Sequence, residues 1–214
     1  MTIFCDVDGT LLDSSARHEQ LLRDLIREEG LTWPQQAPDY LAYKADGHST
    51  FAWLRKAGFG EEIARHLAES WRQRIEWPGY LQTDKPYPDA AAFLQAVKCL
   101  PAVVVLLSAR QDAAALQSTL EQCGLLPLVQ ELAVVSPQGA AQRKAAFLRG
   151  RAQPGDIMVG DTEADLAAAQ AAGLPCLLLD RGFRSRRYWQ EQGQDSCAGL
   201  QEILERLPRK IKEE

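Results

Sequence analysis

The chain begins Met1-Thr2-Ile3-Phe4-Cys5-Asp6-Val7-Asp8-Gly9-Thr10-Leu11-Leu12-Asp13-Ser14, and this stretch indicates the type of fold. A short apolar run leads directly into two aspartates, a glycine and the start of a helix. Residues i and i+2 of a strand point to the same side, so Asp6 and Asp8 are placed to flank one small reacting centre where the strand ends. Gly9 lets the chain turn there. Two carboxylates this close repel each other, so the pair predicts a nearby cation or a shared proton, and with it chemistry.

The composition limits the classes of protein that fit. The chain has 214 residues, of which 46% are hydrophobic and 25% charged, enough for one good-sized domain or one domain with a smaller insert. The formal net charge is −5 and no basic stripe is present, so we expect no nucleic-acid partner. The five cysteines form no C-x-x-C pair, which argues against a disulfide framework or a zinc knuckle. Neither a signal-type N-terminus nor a bilayer-length apolar stretch is found, so we expect a cytoplasmic protein without membrane contact.

Four more short apolar runs resemble buried strands. They are mostly continuous rather than alternating, as expected of parallel strands that are covered on both faces. Segments with helical spacing of apolar residues lie between them, and this alternation predicts an α/β fold with a doubly wound parallel sheet. The predicted strands are Ala102–Leu107, Leu132–Val135, Ile157–Val159 and Cys176–Leu179, and the predicted helices are Ala90–Leu100, Ala113–Cys123, Lys144–Leu148 and Ala164–Ala172.

Residues 15–80 interrupt the alternation, because they show helical patterns with no strand among them. We interpret them as an all-helical insert in a core made of residues 1–14 and 81–214, with proline-bearing segments at 77–79 and 85–88 as the return hinge. Four of the five tryptophans fall in the insert, where packing is their expected role. The predicted helices of the insert are Ala16–Glu29, Asp39–Ala45, Ser49–Ala57 and Glu61–Glu76, and Arg209–Glu214 is expected to be a charged, frayed tail.

Three further sites belong with the first pair of aspartates. One apolar run ends in Ser108-Ala109-Arg110, where a hydroxyl followed by the backbone N–H groups of a helix start can hold a phosphate. Lys144 is the only lysine between Lys98 and Lys210 and can neutralise charge on a transferring phosphoryl group. The run Ile157–Val159 is followed by Gly160-Asp161, with Asp165 four residues later, an oxygen-rich pattern that suits Mg²⁺.

Taken in order, these motifs resemble those of the haloacid dehalogenase-like hydrolase superfamily: Asp6-x-Asp8-Gly9-Thr10, Ser108, Lys144 and Gly160-Asp161-x-x-x-Asp165. The resemblance spans the chain, and the insert resembles the helical cap of the phosphoglycolate phosphatase-like branch. It implies a Rossmann-like, doubly wound parallel sheet with an inserted all-helical cap. The third motif departs from the usual Lys-Pro context of this branch, which leaves Arg143 or Arg149 as rivals to Lys144.

The resemblance also implies roles for the catalytic residues. Asp6 would attack phosphorus and form an aspartyl-phosphate, and Asp8 would protonate the leaving group and then deprotonate the hydrolytic water. Ser108 and the backbone amides near Ala109 and Arg110 would hold phosphate oxygens. Lys144 would orient Asp6 and stabilise the developing charge.

A metal site is implied as well. Mg²⁺ would be bound by Asp6, the main-chain carbonyl of Asp8 and Asp161, with Asp165 as a further ligand or as a support for the ligands. Because the dehalogenase and phosphonatase branches do not keep an acid at the position of Asp8, they are disfavoured.

The insert contains one polar turn that we expect to contact the substrate. Lys44 and His48 flank Gly47 there, where this branch places its specificity loop, although an ordinary capped turn fits the same residues. His18 and His66 are expected on the helix surface. The arginines after the last strand are expected to form a solvated face or a set of salt bridges; they are Arg181, Arg184, Arg186 and Arg187.

The function that these features predict is Mg²⁺-dependent hydrolysis of a small phosphorylated metabolite by a monomer or homodimer. A phosphomutase of the same branch is one alternative. A binding or regulatory module that keeps the fold without turnover is the other, although none of its expected losses, at Asp6, Asp8 or Asp161, is found.

Overall fold

The computed structural model describes residues 1–207, so the predicted tail at Arg209–Glu214 lies outside the described residues. In chain order the strands are β1 (Thr2–Cys5), β2 (Leu12–Asp13), β3 (Lys85–Pro86), β4 (Val103–Ala109), β5 (Glu131–Val135), β6 (Ile157–Gly160) and β7 (Cys176–Leu178). Five of them form a parallel sheet in the order β5-β4-β1-β6-β7, which places β1 at the centre. This confirms the predicted α/β fold with a parallel sheet.

The helices account for most of the remaining chain. No helix within residues 1–207 is both long and apolar enough to cross a membrane. Their bounds are α1 (Ser15–Glu28), α2 (Tyr40–Ala45), α3 (Thr50–Lys56), α4 (Glu61–Arg74), α5 (Pro78–Leu81), α6 (Ala90–Lys98), α7 (Ala113–Gln122), α8 (Ala140–Arg149), α9 (Glu163–Ala172), α10 (Arg186–Glu191) and α11 (Leu200–Arg206), with a short 3₁₀ turn at Leu126–Leu128.

Side chains of β1 alternate between two hydrophobic cores. Ile3 and Cys5 pack on one face of the sheet with residues of α6, α7 and α11, whereas Phe4 packs on the other face with residues of α8 and α9. Successive strand residues point to opposite faces, and both faces here are covered by helices. This explains why the strands have continuous apolar sequences.

The segment from α1 to α5, which we call the helical segment (residues 15–81), contains no strand and has a hydrophobic core of its own. Trp53 is fully buried there, with the Trp33 ring 4.8 Å from its centroid and Tyr40 edge-on at 5.3 Å. Packing is thus the role of these tryptophans. Trp71 packs against the same core and also meets the His18 ring edge-on.

The two shortest strands join the helical segment to the sheet. Leu12 pairs with Pro86 and Asp13 with Lys85 in an antiparallel ladder, where the chain leaves for α1 and returns from α5. Two-residue strands carry no periodic pattern, which is why they were not predicted from the sequence. The proline segment at 77–79, expected as part of the return hinge, leads into α5, because proline is well suited to the first turn of a helix.

Candidate active site

Asp6 lies at the carboxyl end of β1, next to a lysine from α8. Lys144 Nζ donates to Asp6 Oδ1 at 2.7 Å and to Asp165 Oδ1 at 2.6 Å, and all three residues are buried. Burial raises the pKa of Asp6, and the Lys144 ammonium opposes this rise. Burial alone would lower the pKa of Lys144, but the charges of Asp165 and Asp6 outweigh it and raise the lysine pKa. Lys144 therefore stays charged. Asp6 Oδ2 accepts no hydrogen bond from residues 1–207, which leaves one oxygen of the carboxylate available.

Asp161 and Asp165 complete a buried acidic trio with Asp6, and each of the three offers an oxygen within 4.8 Å of the others. Asp161 follows β6 and accepts hydrogen bonds from Thr10 Oγ1 at 3.1 Å and from the Phe183 N–H at 2.9 Å. Burial, together with the charges of Asp6 and Asp165, raises the pKa of Asp161 well above its usual value. Three carboxyl groups share one ammonium, so the site lacks positive charge and offers the oxygen donors that a divalent cation prefers.

Two glycines allow the chain to crowd around Asp161. Gly9 has φ +80°, and a Cβ there would lie 2.1 Å from Asp161 Oδ2. Gly182, with φ +72°, approaches from the loop after β7, and its Cβ would lie 2.5 Å from the same oxygen. Only glycine adopts such backbone angles readily and fits this space.

Ser108 lies at the end of β4, the neighbour of β1. Its hydroxyl is buried, and no residue in the described part of the chain forms a hydrogen bond with it. Buried hydroxyls are normally paired, so this one is suited to an oxygen of a bound ligand. Asp112 caps the helix that follows, with its side chain accepting from the Ala115 N–H at 3.0 Å.

Asp8 is not free, because two arginines hold its carboxylate. Arg17 Nη2 donates to Asp8 Oδ1 at 2.5 Å, and Arg110 donates to both oxygens at 2.7 and 2.8 Å. Arg110 also donates to Asp84 at 2.9 Å, and Arg17 Nε lies 3.1 Å from the other oxygen of Asp84. Burial favours the neutral acid, but Arg110 and Arg17 outweigh it and hold the pKa of Asp8 well below its usual range. This charge quartet joins α1, the return from α5 and the loop after β4.

A cavity of about 800 Å³ lies beside the quartet, between the helical segment and the carboxyl ends of the strands. Asp8 and Arg110 form part of its wall, together with residues of α1, α4 and the loops after β4, β5 and β7. Other residues of the wall include His18, Trp71, Ala109, Phe183 and Glu76. Ligands of open α/β sheets bind at this edge.

The two residues of the polar turn that were predicted to contact the substrate, Lys44 and His48, lie at different distances from the cavity. Lys44 is partly buried, with its ammonium 4.8 Å from the Trp71 ring centroid and 5.7 Å from that of Phe183. His48 is exposed and stacks on Tyr43 at 4.1 Å, and it does not line the cavity. The expectation that His18 lies on the surface is wrong, since its side chain is buried.

Of the three basic residues that could fill the third motif, one contacts the buried acids. Lys144 contacts Asp6, whereas Arg143 donates to the Gln138 carbonyl and Arg149 to that of Ala145. The arginines after β7 each pair with a carboxylate, which agrees with the expected set of salt bridges. The pairs are Arg181–Asp89, Arg184–Glu163, Arg186–Asp180 and Arg187–Asp46.

Four residues at the site were missed in the sequence analysis or misplaced there. Arg17 and His18 lie near the start of α1, and polar residues on the buried face of this helix were the available signal. Asp84 and Phe183 lie in loops without a pattern. Their partners come from distant parts of the chain, so only the fold brings them together.

The sequence profile of the haloacid dehalogenase-like hydrolases matches residues 1–173, which include all four motifs. The chain belongs to this family. No match was found among proteins with curated descriptions.

Solved structures show that the fold of this haloacid dehalogenase-like protein recurs at low identity. A hydrolase of the family from Streptococcus pneumoniae is 17% identical, with a TM-score of 0.73 over 95% of this chain and 96% of that one. A predicted phosphoglycolate phosphatase from Haemophilus somnus is 18% identical, with a TM-score of 0.68 over 95% and 96%. A proposed beta-phosphoglucomutase from Thermotoga maritima is 15% identical, with a TM-score of 0.63 over 95% and 96%.

Proposed function

We propose that this protein is a Mg²⁺-dependent phosphatase that hydrolyses a small phosphomonoester through an aspartyl-phosphate. One observation carries the proposal: Lys144 holds one oxygen of a buried aspartate that lies within a cluster of three acids, and the other oxygen is left unpaired. A carboxylate fixed in this way is a nucleophile whose orientation is set before the substrate binds.

In this reaction Asp6 Oδ2 attacks phosphorus and the ester oxygen leaves. The unpaired Ser108 hydroxyl donates to a phosphate oxygen, with the backbone amides at Ala109 and Arg110 beside it. Lys144 balances the charge that develops on the transferring group. Water then hydrolyses the acyl phosphate and regenerates Asp6.

Asp8 supplies proton transfer to both steps. Its ionised form, held by Arg17 and Arg110, is the form that accepts a proton from the attacking water. A phosphate dianion entering the cavity competes with Asp8 for Arg110, whose Nη1 is buried without a partner in residues 1–207. Once Arg110 turns to the phosphate, the pKa of Asp8 rises, so Asp8 takes up a proton from water in the cavity and delivers it to the leaving oxygen; the carboxylate that results then accepts the proton of the hydrolytic water.

The donor set fits Mg²⁺, because the three buried carboxylates that converge offer oxygen atoms as ligands. Asp6, Asp161 and the Asp8 carbonyl would hold the ion. Both oxygens of Asp165 already accept hydrogen bonds, from Lys144 at 2.6 Å and from Thr162 at 2.8 Å, so Asp165 supports the site more than it ligates. When bound, the ion supplies positive charge that screens the phosphate from the acids.

The helical segment acts as a cap that covers the phosphate site and recognises the leaving group. Its support is the position of the cavity, between this segment and the sheet edge, with Lys44 close to its aromatic wall. The general phosphate chemistry resides in the sheet edge, so specificity must come from elsewhere.

An aryl phosphate assay with Mg²⁺ tests the proposal. We expect turnover by the wild type and a loss of at least about a thousandfold in Asp6→Asn, because the amide is nearly isosteric but cannot attack phosphorus. Thermal unfolding should show that the variant remains folded. Retention of more than about a tenth of the activity would exclude Asp6 as nucleophile.

A phosphomutase is the second candidate, favoured by the structural likeness to the proposed beta-phosphoglucomutase. With a sugar phosphate labelled at phosphorus, a hydrolase releases labelled inorganic phosphate, whereas a mutase returns the label to the sugar.

A further inference from the structure

His18 is a buried histidine that the proposed mechanism does not use. It lies on α1, is 9% exposed, and lines the cavity beside Asp8. Its ring stacks on Phe183 at 4.3 Å and meets Trp71 edge-on at 4.8 Å. Among residues 1–207 no group forms a hydrogen bond with either ring nitrogen, and Nδ1 is fully buried. A polar ring without a partner in such a place costs free energy.

Lys44 shares the same two aromatic neighbours. Its ammonium lies 4.8 Å from the Trp71 centroid and 5.7 Å from the Phe183 centroid, and within the described chain no carboxylate pairs with it. His18, Trp71 and Phe183 thus line the cavity beside Asp8, and the ammonium of Lys44 lies against the same two rings. Neither the imidazole nor this ammonium has a hydrogen-bond partner within residues 1–207.

We propose that His18, with Lys44, binds a hydroxyl of a polyhydroxylated leaving group and so determines which phosphoester is accepted. This inference rests on the proposed phosphatase function and adds the chemical class of the substrate. The apolar ring surfaces of Trp71 and Phe183 suit the C–H groups of a polyol chain, and the nitrogens suit its oxygens.

The protonation state of the ring favours a hydroxyl over an acid. Burial, Lys44 and Arg17 lower the pKa of His18 well below its usual value, so the ring is neutral. A neutral imidazole has one donor and one acceptor, which matches a hydroxyl, whereas a carboxylate can only accept. Arg17 and Arg110 are already paired with Asp8 and Asp84, so they are less available to a second anion.

The test uses His18→Phe, which keeps an aromatic ring between Phe183 and Trp71 but removes both nitrogens. Its substrates are glycerol phosphate, propyl phosphate, carboxyethyl phosphate and an aryl phosphate. We expect kcat/KM for glycerol phosphate to fall about tenfold or more, mainly through KM, and that for propyl and aryl phosphate to change by less than about threefold. His66→Phe, on an exposed position of α4 in the same helical segment, is the matched control.

A binding measurement separates this inference from the proposed function. In the Asp6→Asn background, calorimetry should show that His18→Phe weakens glycerol phosphate by about tenfold and leaves propyl phosphate unchanged, whether or not the wild type turns over. Equal losses on all ligands, no loss, or a preference for the carboxylate would overturn the inference. If His18→Phe does not fold, His18→Leu, which also removes both nitrogens, serves in its place, with the same outcomes.

Discussion

One ammonium group holds two acids at the centre of the site. Lys144 is 2% exposed, and its contacts with Asp6 and Asp165 are its hydrogen bonds in the described structure. Buried charges are tolerated only when they are paired, and removing one partner of a buried pair is far more costly than the pair is stabilising. The same side chain therefore serves both folding and the proposed chemistry.

We expect Lys144→Met to lose activity by at least about a hundredfold and to destabilise the fold by about 3 kcal/mol at neutral pH. Without the ammonium, burial raises the pKa of Asp6 above its value in the unfolded chain. The folded variant then binds more protons than the unfolded chain, so its stability rises as the pH falls toward the unfolded values. Urea unfolding between neutral and mildly acidic pH checks this. Arg143→Met is the control, and an equal loss in it would contradict the assignment.

The acidic trio leads to a prediction about metal ions. Activity should require Mg²⁺ and disappear with EDTA, while Ca²⁺ should inhibit, because Ca²⁺ takes more oxygen ligands at longer distances and can engage both oxygens of Asp6. Mg²⁺ should also raise the melting temperature of the wild type, and less so that of Asp161→Asn, since a ligand that binds only the folded state stabilises it. Full activity in chelator would refute the proposed cofactor.

At this scale the sequence was informative where residues follow a strand directly. Asp6, Ser108 and Asp161 each come at the end of an apolar run, and parallel strands bring such ends to one edge. Arg17 and Asp84 could not be predicted, because their importance arises from contacts between distant segments. The same limit applies to the buried position of His18.

Among the elements, α2 carries a lysine that we expect to lower the free energy of unfolding. Burial lowers the pKa of Lys44 from 10.5 to about 8, with Arg184 adding to the effect. Between these two values the unfolded chain binds more protons than the folded one, so the wild type gains stability as the pH rises through that range. A residue that destabilises its own fold at neutral pH is typical of a binding site.

We therefore expect Lys44→Met to be more stable than the wild type by about 1 kcal/mol at neutral pH, after allowance for its partial exposure and its contacts with aromatic rings. This advantage should shrink above pH 8, where the wild-type lysine loses its proton. The same variant should lose about tenfold in kcat/KM on the preferred substrate. Chemical denaturation at two pH values provides the measurement, with the exposed Lys56→Met as control; a destabilised Lys44→Met would contradict it.

The alternation of strands and helices was predicted well, because covered parallel strands have long apolar runs. Element ends were less accurate: β4 extends to Ala109, and α8 begins at Ala140 rather than Lys144. The residues before Lys144 lack apolar spacing, and Gly139, with φ +72°, sets the start of this helix through its backbone.

Across the whole molecule, two contacts close the helical segment onto the sheet from opposite sides. Glu76 accepts hydrogen bonds from the Gln111 N–H at 2.9 Å and the Asp112 N–H at 3.2 Å, at the start of α7. On the other side, the Ser185 N–H donates to the Ala45 carbonyl at 2.8 Å, and Asp46 pairs with Arg187. The Glu76 hydrogen bonds and the Asp46–Arg187 pair are open to solvent, so each is weak enough to break when the cavity opens.

We expect Glu76→Ala to raise KM by about fivefold while the folded stability changes by less than about 1 kcal/mol, because an exposed contact contributes little to folding but helps to close the cavity. Steady-state kinetics in a viscosity series would show whether release of product becomes faster. Glu62→Ala, at an exposed position of α4, is the control. A large loss of stability would indicate a structural role instead.

The acidic centre is completed by a loop, after β7, that is synthesised later than all four motifs. Asp161 receives the Phe183 N–H, and Arg181 fixes that loop by donating to the Thr10 carbonyl and to Asp89. A nascent chain can thus have all four motifs outside the ribosome while Asp161 still lacks this support. A messenger with a premature stop codon after β7 would yield a protein with every motif residue and an incomplete centre.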